Sequence, residues 1–130
     1  MSQVCMRLFV QYHVTSFGNT LLHTEGWGTK AYNRNIQSVN SRLYHNVTFG
    51  EGCHNYHHVF PYDYKCAENG YSNINFAALF IELMAKFGWA YDLKQPSKEL
   101  VKINWEKQGD GTHHLLNEKN SPNSIENEQK

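Results

Sequence analysis

The sequence predicts a mostly α-helical fold. Three observations carry this prediction: an apolar stretch over residues 8–22, three histidines at helical spacing just ahead of Pro61, and a second, longer apolar stretch over residues 73–93. Apolar stretches of this length, with polar side chains recurring every three, four, seven and eleven positions, are typical of helices that bury one face. We therefore expect three main helices joined by polar loops.

Length and composition limit the class of protein. At 130 residues the chain has room for one modest domain, and its 12 basic and 12 acidic residues give a formal net charge of zero. The basic residues are scattered, with no run that could neutralise a phosphate backbone, so we predict no nucleic-acid partner. Cys5, Cys53 and Cys66 form no CxxC pair and are odd in number, which favours a reducing compartment over a disulfide scaffold. The N-terminus carries no secretory pattern.

The first helix is expected over residues 8–22, LFVQYHVTSFGNTLL. This stretch is apolar enough for a buried or membrane-embedded helix. However, polar groups interrupt it, and it is shorter than the roughly 20 apolar residues that span a bilayer. Residues 24–42, which follow, are rich in Gly, Asn and Ser, and this composition predicts an ordered loop with aromatic anchors.

A second helix is predicted from Leu43 to His58, ending before Pro61 because proline disfavours helical geometry in the residue ahead of it. His54, His57 and His58 then stand at positions i, i+3 and i+4 and share one face within roughly 100° of arc. Neutral imidazole is the commonest protein ligand for transition metals, but a catalytic metal usually needs three or more ligands from more than one segment. The histidine face therefore needs partners from elsewhere in the chain.

A third helix is predicted from Asn73 to Leu93. Asn75, Glu82 and Lys86 fall on one narrow polar stripe, and the remaining surface is apolar. This pattern suits a helix that lies in a membrane interface or packs on a protein, and a core-facing helix of a soluble domain is the alternative. Residues 117–130 are polar and Asn-rich, so we expect a disordered tail from residue 115 onward.

Residues 50–65, GEGCHNYHHVFPYDYK, resemble the third histidine box of the membrane acyl-CoA desaturases of the stearoyl-CoA or delta-9 type, whose usual form is GEGFHNYHHxFPxDY. Upstream, WGTKAYNRNIQ is similar to the family's WGxKPYDKNI, and the stretch from Asn19 to His23 fits its NxxxH segment. Downstream, GYSNINFAALFIELMAKFGWAYDLK and GDGTHH also resemble the family's C-terminal region. The resemblance covers roughly residues 6–114.

This resemblance implies the C-terminal part of a helical membrane desaturase. Residues 1–23 would form the end of the last transmembrane helix, and residues 24–114 a cytosolic helical region that carries the HNYHH box. Residues 115–130 would be the polar tail. The implied enzyme lies in the endoplasmic reticulum membrane with its histidine box on the cytosolic side. It uses two irons, molecular oxygen and electrons from a b-type cytochrome to place a cis double bond in a fatty acyl-CoA.

The resemblance also implies which residues hold the metal. They are Asn19, His23, His54, His57 and His58, with Asn19 acting through a water molecule. Each would position iron rather than act as an acid or a base, so no catalytic residue is assigned. Iron is required because removal of hydrogen from an unactivated methylene needs an oxidant stronger than any amino-acid side chain.

The same resemblance implies an incomplete metal centre. The family also uses HxxxxH and HxxHH segments, and this sequence contains neither. His13 and His45 are isolated and read as ordinary polar or packing residues, while His113 and His114 fall in a segment that matches no metal box. We therefore expect a desaturase-like chain that is inactive alone.

Two alternatives remain open. The chain could be a non-catalytic metal-binding or interaction module that associates with a full-length desaturase. Cys53 could also join His57 or His58 in a structural zinc site, although Cys66 lies without finger-like spacing from it.

Overall fold

The computed structural model describes residues 2–68 and 75–119 of the chain. Within these two ranges, six α-helices follow one another: α1 (Ser2–Leu22), α2 (Arg42–Thr48), α3 (His54–Val59), α4 (Phe76–Lys86), α5 (Lys98–Gln108) and α6 (His114–Lys119). Across the described residues there is no strand, and the β pairing consists of two isolated bridges at Asn40. The predicted mostly α-helical fold is confirmed.

Helix α1 packs against the described part of the chain near its C-terminal end. It buries Gly18 and Leu22, whereas its larger apolar side chains from Val4 to Phe17 are 47–70% exposed. A Cβ atom at Gly18 would lie 1.9 Å from the hydroxyl of Tyr44, so glycine is what lets α2 approach α1. None of the helices in the described part of the chain is both long and apolar enough for a membrane crossing. The membrane interpretation of residues 1–23 therefore stays a prediction.

The predicted single helix from Leu43 to His58 is wrong, because this stretch forms the two short helices α2 and α3. Helix α2 ends at Phe49, which has a left-handed φ of 58° and donates its N–H to the carbonyl of His45. Gly52, in the connection, lies so close to Ser41 that a Cβ atom would come within 2.3 Å of its carbonyl oxygen. The glycines of the stretch TFGEG thus break the helix and set a new direction for the histidine box.

The loop over residues 24–41 is ordered, as the sequence predicted, and it joins three parts of the fold. The backbone N–H of Val39 donates to the carbonyl of Leu22 at 2.8 Å, which holds the loop against the end of α1. Earlier in the loop, the backbone N–H of Arg34 donates to the carbonyl of Gln108 at the end of α5, at 2.9 Å. The sequence predicted aromatic anchors here without naming them: Tyr32 is 1% exposed and fits that role, whereas Trp27 is 52% exposed.

The side chain of Asn55 fixes this loop against α3. Its Oδ1 accepts hydrogen bonds from the backbone N–H groups of Tyr32 and Asn33, both at 3.0 Å. Its Nδ2 donates to the carbonyls of Asn33 and Ser38, also at 3.0 Å. Asn55 is 0% exposed, so these four bonds replace the water that the amide loses on burial.

Asn40 satisfies the N-terminal end of α3. The N-cap residue, Cys53, makes no capping bond with its side chain. Instead, Oδ1 of Asn40 accepts from the N–H groups of Asn55 at 2.9 Å and Tyr56 at 3.2 Å. These are two of the donors that a helix leaves without intrahelical partners, so a loop residue takes over the role of the cap.

Helix α4 is shorter than the predicted helix from Asn73 to Leu93. It begins after Asn75, whose side chain caps it by accepting from the N–H of Ala78 at 2.9 Å, and it ends at Phe87. The two predicted residues 73–74 lie outside the described residues. Glu82, on the predicted polar stripe, pairs with Lys65 at 3.0 Å. The opposite side of α4 and its C-terminal end are exposed and apolar; they consist of Phe76, Leu79, Phe80, Leu83 and Phe87.

Helix α5, which the sequence analysis did not predict, closes the core. Ser97 caps it by accepting from the N–H of Leu100 at 3.2 Å. It contributes Val101 and Trp105 to a cluster of buried side chains. The other members come from the loop, from α3 and from the segments next to α3: Ala31, Tyr32, Cys53, Tyr56, Phe60 and Ala67. Helix α6 occupies residues 114–119, where the sequence analysis placed the start of the tail. Residues 120–130 of that tail lie outside the described residues.

Replacement of the buried Asn55 tests this arrangement. Asn55→Ala removes four hydrogen bonds and leaves buried backbone groups without partners, so we expect the free energy of unfolding to fall by about 3–5 kcal/mol. Asn35→Ala, at an exposed position of the same loop, should change it by less than about 0.5 kcal/mol. Urea denaturation followed by circular dichroism measures both. Equal midpoints for the two variants would show that the amide does not hold the loop.

Candidate metal centre

Three histidines bring their ring nitrogens together at the junction of α1 and α3. The Nε2 atoms of His23 and His54 are 3.0 Å apart, and those of His54 and His58 are 3.2 Å apart. Their rings stand nearly perpendicular to one another, at 85–89°. One nitrogen from each ring lies within 4.8 Å of the others, which is the separation that ligands of a single metal ion need. This set is called the histidine cluster below.

Two separate segments position the histidine cluster. His23 is the residue after α1, where the bond between Val39 and Leu22 holds the chain. His54 is the first residue of α3, and His58 follows one helical turn later on the same side. Asn40 and Asn55 fix the start of α3 to the loop. The fold therefore sets the direction in which the His54 and His58 side chains leave the helix.

The surroundings of His54 and His58 favour their neutral forms. Burial, and after it the neighbouring His58, His23 and His57, lower the pKa of His54 from its ordinary value of 6.5 to about 4. Burial and two of these neighbours also lower the pKa of His58. Neutral imidazole is the form that binds metal, so at neutral pH these two ligands need not lose a proton first.

His57 and Asn19 lie beside the histidine cluster rather than within it. Both line a cavity of about 210 Å³ that His54 also borders. The Nδ1 atom of His57 is buried and has no hydrogen-bond partner. An unpartnered buried nitrogen is costly, and a metal ion or water in the cavity would satisfy it. The structure thus gathers His23, His54 and His58 closely, with His57 and Asn19 on the wall of the adjoining cavity.

The zinc alternative built on Cys53 finds no support in the geometry. Cys53 is buried and its sulfur lies 3.5 Å from Nδ1 of His45. Burial raises the pKa of its thiol well above the ordinary range, which disfavours the thiolate that zinc requires. Among the described residues, neither of the two groups able to hold a metal ion contains a cysteine.

Sequence reasoning missed several residues of this region. Glu51 and Cys66 line the cavity with His57, and no spacing rule places them there. Asn40 and Asn55 hold α3 in place. The only sequence signal for either residue is that Asn55 lies inside the box HNYHH. A second group of potential ligands, Glu68 with His113 and His114, was not predicted either.

Comparison with curated proteins identifies relatives of this sequence. It is 40% identical over 123 residues to an acyl-CoA Delta(11) desaturase of Spodoptera littoralis, which is 94% of this chain and 36% of that protein. It is 43% identical over 89 residues to an acyl-CoA Delta-9 desaturase of Acheta domesticus, covering 68% and 25%. With stearoyl-CoA desaturase 4 of Mus musculus it shares 39% over 114 residues, covering 85% and 31%. No protein-family profile matches the chain.

The described residues form a helical fold that gathers histidines from two segments, which is the arrangement of a metal-binding protein. The identities and names of the relatives then decide the family: this chain belongs to the acyl-CoA desaturases. It spans about a third or less of the length of these relatives, so it corresponds to one part of such a protein. The resemblance that the sequence analysis stated is confirmed.

The lowered pKa of His54 predicts a pH dependence of stability in the metal-free chain. Its folded pKa of about 4 lies below the ordinary 6.5, so the unfolded chain binds more protons between these values. The stability that this difference represents is complete above about pH 6.5 and is lost as the pH falls towards 4. We expect His54→Gln to reduce the fall in melting temperature over this interval, while His13→Gln, at an exposed position of α1, retains it. Superimposable curves for all three proteins would contradict the assignment.

Proposed function

We propose that this chain forms part of the metal centre of a fatty acyl-CoA desaturase, which introduces a cis double bond into an acyl-CoA with two irons and molecular oxygen. The convergence of His23 with His54 and His58 supports this most directly, because the ligands come from two segments 31 residues apart. The names of the relatives supply the reaction class.

The residues present fit iron. Neutral imidazole nitrogens suit iron as a metal, and the buried Nδ1 of His57 lacks the hydrogen bond that it would make in an ordinary packing role. His23, His54 and His58 would hold one metal together, with His57 and Asn19 facing the same region from the cavity wall. When bound, iron supplies the oxidising power that removal of hydrogen from a methylene needs.

The chain's own residues serve this chemistry by holding ligands in place. The Asn40 cap and the buried Asn55 amide fix the first turn of α3, where His54 lies. Partners bonded directly to the ligand rings typically change metal affinity about 10–100-fold; Asn40 and Asn55 act one step farther out, through the backbone that carries His54. We infer that the loop over residues 24–41 acts as the scaffold of the centre.

The proposed surroundings are those of a membrane enzyme. The substrate is a fatty acyl-CoA, the electron donor is a b-type cytochrome, and the site is the cytosolic side of the endoplasmic reticulum membrane. The exposed apolar side chains along α1 support this setting, because a helix that leaves them uncovered needs lipid or further protein around it.

The proposed centre needs ligands beyond those of this sequence. Two irons require more donors than four histidines and a water-bridged asparagine, and the chain spans at most 36% of the relatives compared above. A non-catalytic interaction module would also lack those donors. The two functions differ in one measurable respect, which is whether the chain supports desaturation once the missing part is supplied.

The first consequence is that the 130-residue chain has no activity alone. Supplied with ferrous iron, oxygen, a b-type cytochrome and its reductase, it should give no monounsaturated product from stearoyl-CoA or palmitoyl-CoA, because the donor set is incomplete. Gas chromatography of the products against a no-protein control measures this. Product above that control would contradict the incomplete centre.

The second consequence appears when the missing part is restored. Residues 6–114 are fused to the N-terminal part of a related desaturase and expressed in yeast that lacks its own enzyme. His57→Ala should lower product at least about 100-fold, with loss of iron from the purified protein, because a removed ligand leaves the ion misplaced. His13→Ala is the control, since His13 is exposed and bonds the Phe9 carbonyl of its own helix.

Two results would overturn the proposal. Full activity and full iron content in His57→Ala would remove His57 from the centre. A parent fusion that is expressed and folded but makes no product would favour the non-catalytic module.

A further inference from the structure

A second group of side chains that could bind a metal ion shares no residue with the histidine cluster. Glu68 follows α3, and His113 and His114 stand at the start of α6. One donor atom from each lies within 4.8 Å of the others. The C-terminal segment thus returns 45 residues later to meet the end of the histidine-box segment. These three residues are called the Glu68 group below.

Two of the three donors are held in place by neighbours that would not touch the ion. His113 is 1% exposed, and its ring stacks on Trp105 with centroids 4.4 Å apart and planes 6° apart. Its Nε2 lies 2.7 Å from Oε2 of Glu68, and the same carboxylate accepts a hydrogen bond from the hydroxyl of Tyr32. Metal sites typically fix their ligands in this way, through supporting bonds and packing.

The charge of the Glu68 group suits a cation. Burial alone would raise the pKa of Glu68, but its hydrogen bonds with His113 and Tyr32 outweigh burial and lower the pKa. The carboxylate is therefore ionised at neutral pH. In the metal-free chain, His113 donates from Nε2 to this carboxylate and accepts from the N–H of Leu115 at Nδ1, over a long 3.4 Å. Binding of an ion at Nε2 requires the ring proton to move to Nδ1, which gives up the bonds to Glu68 and Leu115; the ion then takes the place of the proton between Nε2 and the carboxylate.

His114, the third donor, borders a cavity that has room for further ligands. His114 and Glu68 both border a cavity of about 690 Å³, with Tyr56, Asp63, Lys98 and Trp105 among its other walls. His114 is only partly buried. A metal ion held by three protein donors here would keep a coordination position towards the cavity, which water or a small molecule can occupy.

We propose that Glu68, His113 and His114 form a second metal site, which binds a zinc ion independently of the histidine cluster. Two imidazoles and one carboxylate are a donor set that zinc uses, whereas magnesium and calcium prefer oxygen ligands throughout. The site joins the C-terminal segment to the end of the histidine-box segment through the ion. Its existence does not depend on the desaturase activity of the chain.

The experiment uses the full chain with the histidine cluster disabled by His54→Ala and His58→Ala. Cobalt(II), which reports coordination through its visible absorption bands, is titrated into the protein, and zinc is then added in competition. We expect one cobalt ion per chain, displaced by zinc, with bands typical of four ligands or five. Adding His114→Ala should weaken binding at least about 10-fold. His13→Ala in the same background is the matched control.

His114 is the residue to replace because the bonds of Glu68 with His113 and Tyr32 remain, so the fold should persist, as circular dichroism can verify. If the disabled background does not fold, zinc is counted by mass spectrometry on the unmodified chain and on its single His114→Ala variant, and the variant should hold one ion fewer. Absence of cobalt binding in the folded background, or equal zinc content in the two chains, would overturn the proposal and leave the Glu68 group as a hydrogen-bonded packing element.

Discussion

The buried amide of Asn55 is the interaction on which the histidine site depends. It lies between two of the candidate ligands in sequence, and its hydrogen bonds within the described residues join backbone groups of the loop. This single side chain forms hydrogen bonds with four backbone polar groups that burial would otherwise leave without partners. Its bonds hold the irregular loop in place against α3. The backbone that carries His54 and His58 is therefore held by a polar contact with the loop, in addition to the contacts among the histidine rings.

The loop over residues 24–41 serves two sites at once. On one side Asn40 caps α3, and Tyr32 reaches from the same loop to the Glu68 carboxylate. Tyr32 also packs edge-on against Tyr56 of α3, with ring centroids 4.9 Å apart. A displacement of this loop would alter the orientation of His54 and the hydrogen bonding of Glu68 together. Asn40, Tyr32 and Tyr56 thus form a continuous set of contacts between the start of α3 and the Glu68 carboxylate.

The sequence predicted the helical class, the loop and the region of the histidines, but not how the box is built. Periodicity alone made residues 43–58 one helix, because it cannot register the left-handed Phe49 or the contact that requires Gly52. The spacing predicted one helical face for His54, His57 and His58; His54 and His58 come together one turn apart, whereas His57 lies on the wall of the adjoining cavity. The addition of His23 came from the family resemblance, not from periodicity. Asn40 and the meeting of Glu68 with His113 depend on contacts across many residues, which no local pattern encodes.

Helix α3 is only six residues long, from His54 to Val59. Isolated helices below about 12 residues are barely populated in water, so this turn has its shape only because the rest of the fold imposes it. A synthetic peptide carrying the box alone would display its histidines in many directions and would bind metal as an unstructured chelator does. For protein engineering, the smallest transferable unit is consequently not the histidine motif but the motif together with the loop that precedes it and the end of α1.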